Sequence, residues 1–153
     1  MRSIAIYILS IIFLSAVLMG LTYQVKVPSG AIEMQVYSQD TPLVGSSDSV
    51  DEMTNFNIYH YFDKVVSIKD GKLDNTLGVA YVYRKGEMSA EQLIKDFSAK
   101  IAFEQDLEDG VTYYGHTKAG GKSVMLGEEE INIQIVINKE NIIVGFPLIM
   151  GSY

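Results

Sequence analysis

Hydrophobic and polar positions fall into two regimes along this chain. From Ser3 to Gln24 no charged residue occurs, and Ile, Leu, Ala, Val and Met dominate. Ile4 to Tyr23 is 20 residues, and a helix of that length spans about 30 Å, the thickness of a bilayer's hydrocarbon. The pattern predicts a transmembrane helix in 1–23, with Tyr23 placed as an interfacial aromatic. Residues 24–30, with Pro28 and Gly30, read as a tether.

Beyond the tether the period changes. Ala31 to Ser38 alternates, with Ile32, Met34 and Val36 on one face and Glu33, Gln35 and Tyr37 on the other, as expected of a strand with one wet face. Residues 39–55 read as a loop. Phe56 to Ile68 is rich in aromatic and β-branched residues and predicts a long strand. After turn signals at Asp70-Gly71 and Asp74-Asn75, the alternation of Leu77, Val79, Tyr81 and Tyr83 predicts its hairpin partner. Ser89 and Gln92 have the spacing of a capping box, and Leu93, Ile94, Phe97 and Ile101 form an apolar helical stripe fading at 106–110. Strands are expected at 111–116 and 123–126, and over 131–138, where Ile131, Ile133, Ile135 and Ile137 alternate with Asn132, Gln134, Val136 and Asn138. The closing stretch 142–150 contains Pro147, which suggests a sheet edge. The expected fold class is α+β: an N-terminal transmembrane helix, then a two-layer domain over 31–153, an antiparallel sheet with one main helix packed on it.

Charge sharpens the division. The net charge is −7, yet residues 24–153 hold all 19 acids and 11 of the 12 basic residues, so the domain is acidic. Its roughly 130 residues can bury one modest core. Positive charge before the apolar run, the α-amine and Arg2, favours a cytoplasmic N-terminus with the domain outside the cell membrane. A cleaved signal peptide is the alternative, although cleavage after Gly20 would put Leu18 at the −3 position. Either reading is extracytoplasmic. The chain has no cysteine, which excludes a lipid-anchored lipoprotein, a disulfide framework, a thiol nucleophile and thiolate metal ligands.

Candidate chemistry is sparse. Gly115 to Ser123 approaches a phosphate-binding loop, but His116 occupies the first required glycine position and a strand is expected to follow, so a glycine-rich turn is the better reading. Only His60 and His116 could serve a hydrolase, and Asp63, three residues beyond His60 in an expected strand, would point to the opposite face. Two histidines make a poor zinc inventory. The acids at 106–109 and 128–130 lack the spacing of a calcium loop. No cofactor and no metal is expected. Tyr59, Tyr61, Tyr81, Tyr83, Tyr113 and Tyr114 lie in expected strands, and any exposed set would form a ligand or partner surface. A domain this acidic, with Arg84 as its one arginine, cannot present a dominant positive surface to nucleic acid.

The strand Ile131 to Asn138, a polar turn, and Val144-Gly145-Phe146-Pro147-Leu148 resemble the C-terminal end of the YwmB family, exported proteins of spore-forming Gram-positive bacteria. The resemblance covers the last 60 or so residues at most. It implies a curved TATA-box-binding-protein-like antiparallel sheet with helix on one face, and brings no catalytic motif. These readings lead to a membrane-anchored, non-enzymatic interaction domain bound to the membrane through residues 4–23 and contacting a cell-envelope or sporulation partner. The alternative is a small cell-envelope hydrolase using His60 or His116 with nearby carboxylates.

Overall fold

A computed structural model of the chain describes residues 27–151. The expected membrane helix in 1–23 lies outside the described residues. Among the described residues no helix is long and apolar enough to cross a membrane.

The described residues form β1 (Ala31–Ser38), β2 (Ser49–Glu52), β3 (Asn57–Tyr61), β4 (Gly78–Arg84), one α-helix, α1 (Ala90–Asp96), β5 (Lys100–Leu107), β6 (Gly110–His116), β7 (Val124–Leu126), β8 (Glu129–Ile131), β9 (Ile133–Ile137) and β10 (Asn141–Phe146). Eight strands make one sheet in the order β2-β3-β1-β4-β10-β9-β6-β5, and every pairing within it is antiparallel. β7 and β8 form a separate hairpin.

The expected α+β class with one main helix is therefore corrected. The described chain is 46% strand and 8% helical. Ser89 does cap α1, its hydroxyl accepting from the Gln92 amide. The Gln92 side chain, however, bonds Asp96. The helix stops after two turns because Ser98 takes a left-handed conformation (φ 50°). Ser98 N–H then donates to the Lys95 carbonyl and Ala99 N–H to that of Ile94, a helix-ending pattern that glycine usually supplies. With no glycine at 98, the sequence carries no stop signal. Ile101, the expected end of the apolar stripe, belongs to β5 instead.

Three other expectations change. β3 ends at Tyr61, well short of Ile68, where the Asp48 carboxylate captures the Phe62 amide at 2.8 Å and takes it from the ladder. β3 and β4 are not hairpin partners, since β1 lies between them. β10 is central, and Pro147 simply follows it.

The sheet buries both faces. Met34, Val36, Tyr59, Tyr61, Val79, Tyr81, Tyr83, Ile133, Ile135, Ile142 and Val144 alternate onto the inner face and form the main core with Leu93 and Phe97 of α1. Two helical turns cannot cover eight strands, so irregular chain covers the rest: Val27, Val44, Val66, Ile68, Leu73, Met88 and Ala119 all pack on this cluster. The outer face carries Tyr37, Ile58, Ala80, Val82 and Ile143, over which Ile149 and Met150 fold back. The Ile149 amide is held there by the Gln134 side chain at 2.8 Å.

Covering a sheet with loops leaves backbone carbonyls needing partners. Tyrosines of the inner face meet that need. Tyr81 donates to the Val66 carbonyl at 2.7 Å, Tyr83 to that of Pro28 at 3.2 Å, and Tyr61 to that of Gly45 at 3.3 Å. Tyr81→Phe should cost about 1 kcal/mol in urea unfolding, the net worth of one such bond, whereas Tyr81→Ala should cost about 3–5 kcal/mol through the cavity it leaves.

Burial raises the hydroxyl pKa of Tyr37, Tyr81 and Tyr83 well above its ordinary value. These groups stay neutral in the folded chain while their unfolded counterparts ionise above about pH 10. Their contribution is thus complete below that pH and is lost as pH rises beyond it. Absorbance titration at 295 nm should show these three tyrosines ionising only together with loss of the folded circular-dichroism signal.

Candidate functional site

The six candidate tyrosines divide. Tyr59, Tyr61, Tyr81 and Tyr83 are core residues of the inner face. Tyr113 is partly buried against the same cluster. Tyr114 lies on the outer face of β6, stacked on Phe103 of β5 with ring centroids 4.8 Å apart. The alternation of β3 and β4 that suggests a shared face is real. That face is turned inward.

A connected polar group lies on the outer face at the β2 edge. β1, β3 and β2 are consecutive in the sheet, and the register pairs Gln35 with His60 and His60 with Ser49. Glu33 and Asp51 sit one pleat away on either side of the histidine. His60 Nδ1 lies 2.6 Å from Glu33 Oε1, and His60 Nε2 lies 3.1 Å from Asp51 Oδ2. Gln35 donates to Glu33 at 3.0 Å, and the Tyr37 hydroxyl donates to Gln35 at 3.1 Å. One row of polar contacts thus runs across three strands. The His60 and Glu33 side chains retain only 14% and 16% exposure, while Asp51 retains 65%.

The two ring nitrogens point in opposite directions, so the two carboxylates flank the ring instead of converging on one point. A metal needs converging donors, and no cluster of three potential ligands suited to a metal occurs among the described residues. A ring occupied on both sides can accept a substrate proton only after one carboxylate moves away, and exposed Asp51 is the one free to do so. Sequence reasoning singled out His60 and tested Asp63 as its partner. The actual partners are 27 and 9 residues upstream. That Glu33, Gln35 and Tyr37 share one face was legible. That face is largely covered instead of wet, with Tyr37 fully buried, and the strand order that brings Glu33 beside His60 was not legible.

The glycine-rich stretch is a pinned turn. Asn132, between β8 and β9, receives the Thr117 amide on Oδ1 at 2.7 Å and donates Nδ2 to the Thr117 carbonyl at 2.8 Å. The Thr117 hydroxyl bonds the Phe97 carbonyl, joining this turn to the end of α1. Gly120 has no side chain because a Cβ would lie 2.6 Å from the Asn132 amide. Strand β7 follows, and Lys122 donates to the Thr76 carbonyl at 2.8 Å. Beside it is a cleft of about 160 Å³ lined by Leu73, Leu77, Val79, Phe146 and Pro147, with Asp74 and Lys122 at its polar side. His116 is exposed at the end of β6. Of the acids, Asp109 pairs with Lys139 at 2.6 Å and Glu130 bonds the Ser123 hydroxyl.

Removing the bridging ring should matter more than removing its exposed partner. His60→Ala should destabilise by about 1–3 kcal/mol, since it strips the half-buried Glu33 carboxylate of its closest partner. Asp51→Ala should change stability by about 0.5 kcal/mol or less, as exposed pairs do. Denaturant melts of the two variants make the comparison. Gly120→Ala should cost at least about 1 kcal/mol, because the amide it would strike is itself bonded twice.

No protein-family model, no curated protein and no solved structure matches this chain.

Proposed function

We propose that the chain is a non-enzymatic interaction domain, held at the outer side of the cell membrane by its apolar segment 4–23 and recognising a cell-envelope or sporulation partner through the β2–β3 edge of the sheet. One observation carries this reading. Of the eight large apolar side chains left exposed among the described residues, five (Leu43, Val50, Met53, Phe62 and Val65) come from the single stretch that builds this edge. Leu43 is 74% exposed and Phe62 52%, although the acidic, loop-rich segment around them could have carried polar residues there at no cost in packing. Several exposed apolar side chains from one stretch of chain mark a contact surface more often than isolated ones do.

Both ends of the sheet order favour side-chain contact over strand addition. β2 is only four residues long and ends in Asp51 and Glu52. β5, the other edge, carries a bulge between Ile101 and Phe103 and displays Lys100, Glu104 and Asp106. Short, charged and bulged edges resist pairing with another strand.

The hydrolase alternative draws support from the Glu33–His60–Asp51 row. The same row is also what three paired strands need in order to join polar residues that share a face, and Asp51 covers the nitrogen that catalysis would use.

Site-specific photo-crosslinking in membranes distinguishes the two. A crosslinker replacing Leu43 or Phe62 should give one discrete adduct, and the double substitution Leu43→Ser, Phe62→Ser should abolish it without lowering the unfolding midpoint. An adduct of equal yield from a position on the opposite edge, such as Gln105, or none from either edge, would refute the proposal. Loss of a hydrolytic activity in His60→Ala, assayed under conditions where the variant is still folded, would establish the alternative.

A further inference from the structure

We infer that the domain stands end-on against the bilayer, with the end of the sheet where β1 begins and β4 finishes facing the lipid headgroups. The inference rests on residues 4–23 being held in the membrane. Its own support is where the folded domain starts.

Val27 packs on the main core cluster, and the Pro28 carbonyl accepts a hydrogen bond from the buried Tyr83 at 3.2 Å. Gly30, with φ 101°, then turns the chain into β1 beside Met88. The tether is therefore docked from Val27 onward, and only residues 24–26 separate the domain from Tyr23. Three residues reach roughly 10 Å when fully extended. The eight residues of β1 alone span about 26 Å. A connection so short relative to the domain cannot lift it clear of the surface or let it turn over. The corner that holds Pro28 stays next to the membrane.

The register shows what shares that end. Ala31 pairs with Tyr83, Arg84 with Asn141, Ile142 with Ile137, and Ile137 with Val111. The turns at 85–89, 138–140 and 108–109 are thus together at the membrane-side end, and the β2–β3 turn at 53–56 is at the far end. The β2–β3 edge then stands upright, open to a partner from the side.

The absence of cysteine makes the test direct. The full chain is placed in phosphatidylcholine–phosphatidylglycerol vesicles with a single nitrobenzoxadiazole label on Glu140→Cys, Glu87→Cys or Met53→Cys. Headgroup-nitroxide lipid should quench the Glu140 and Glu87 positions several-fold more than Met53. Equal quenching, or stronger quenching at Met53, overturns the orientation. Alkaline carbonate treatment separates this from failure of the anchor: a chain that stays with the vesicles but quenches equally refutes the orientation alone, and a chain released to the supernatant refutes the membrane reading beneath it.

Discussion

The tyrosine hydroxyls of the inner face are the interaction on which the rest of the structure depends. An eight-stranded sheet with one two-turn helix has far more apolar surface than helix to cover it, so loops must serve as the second layer. Loops bring backbone carbonyls with them, and those cannot be buried unpaired. Tyr61, Tyr81 and Tyr83 solve both halves of the problem, with rings that fill the core and hydroxyls that bond the Gly45, Val66 and Pro28 carbonyls. The tyrosine-rich composition is thus a consequence of architecture. A helix-covered sheet would have needed apolar rings there and no hydroxyls.

The same arrangement determines what remains available for contact. With the inner face closed by loops and part of the outer face crossed by Ile149 and Met150, the β2–β3 edge is where apolar groups concentrate at the surface. The Glu33–His60–Asp51 row fastens the outermost strand to the interior of the sheet through side chains, a function suited to a four-residue edge strand with few ladder bonds of its own. The bonds from Tyr83 to Pro28 and from Tyr61 to Gly45, in the loop between β1 and β2, tie the tether and the chain leading into the proposed contact edge to the same core.

Most strands were legible in the pattern of residues, because period-2 alternation is a local consequence of burying one face. β1, β4, β6 and β9 fall within a residue or two of their expected bounds, while β10 stops at Phe146, short of the expected 150. The errors have local causes of a different kind. The Leu93-to-Ile101 stripe breaks at Ser98, whose left-handed backbone no residue type announces. The stretch from Phe56 onward stops at Tyr61 because Asp48, fourteen residues away, takes the next amide. His60 was visible as a candidate, but its partners depend on which strands lie side by side.

By itself the sequence determined the division into an uncharged apolar segment and an acidic domain, the largely antiparallel strand content, and the absence of thiol chemistry. Each of these follows from composition or from short-range periodicity. Only the tertiary structure decided that β1 lies between β3 and β4, that the tyrosine row faces inward, that the glycine-rich stretch is a turn clamped by Asn132, and that the tether is already folded onto the domain at Val27. All four are long-range pairings. Their energy resides in contacts between residues far apart in sequence, and no local pattern records which distant partner a residue will meet.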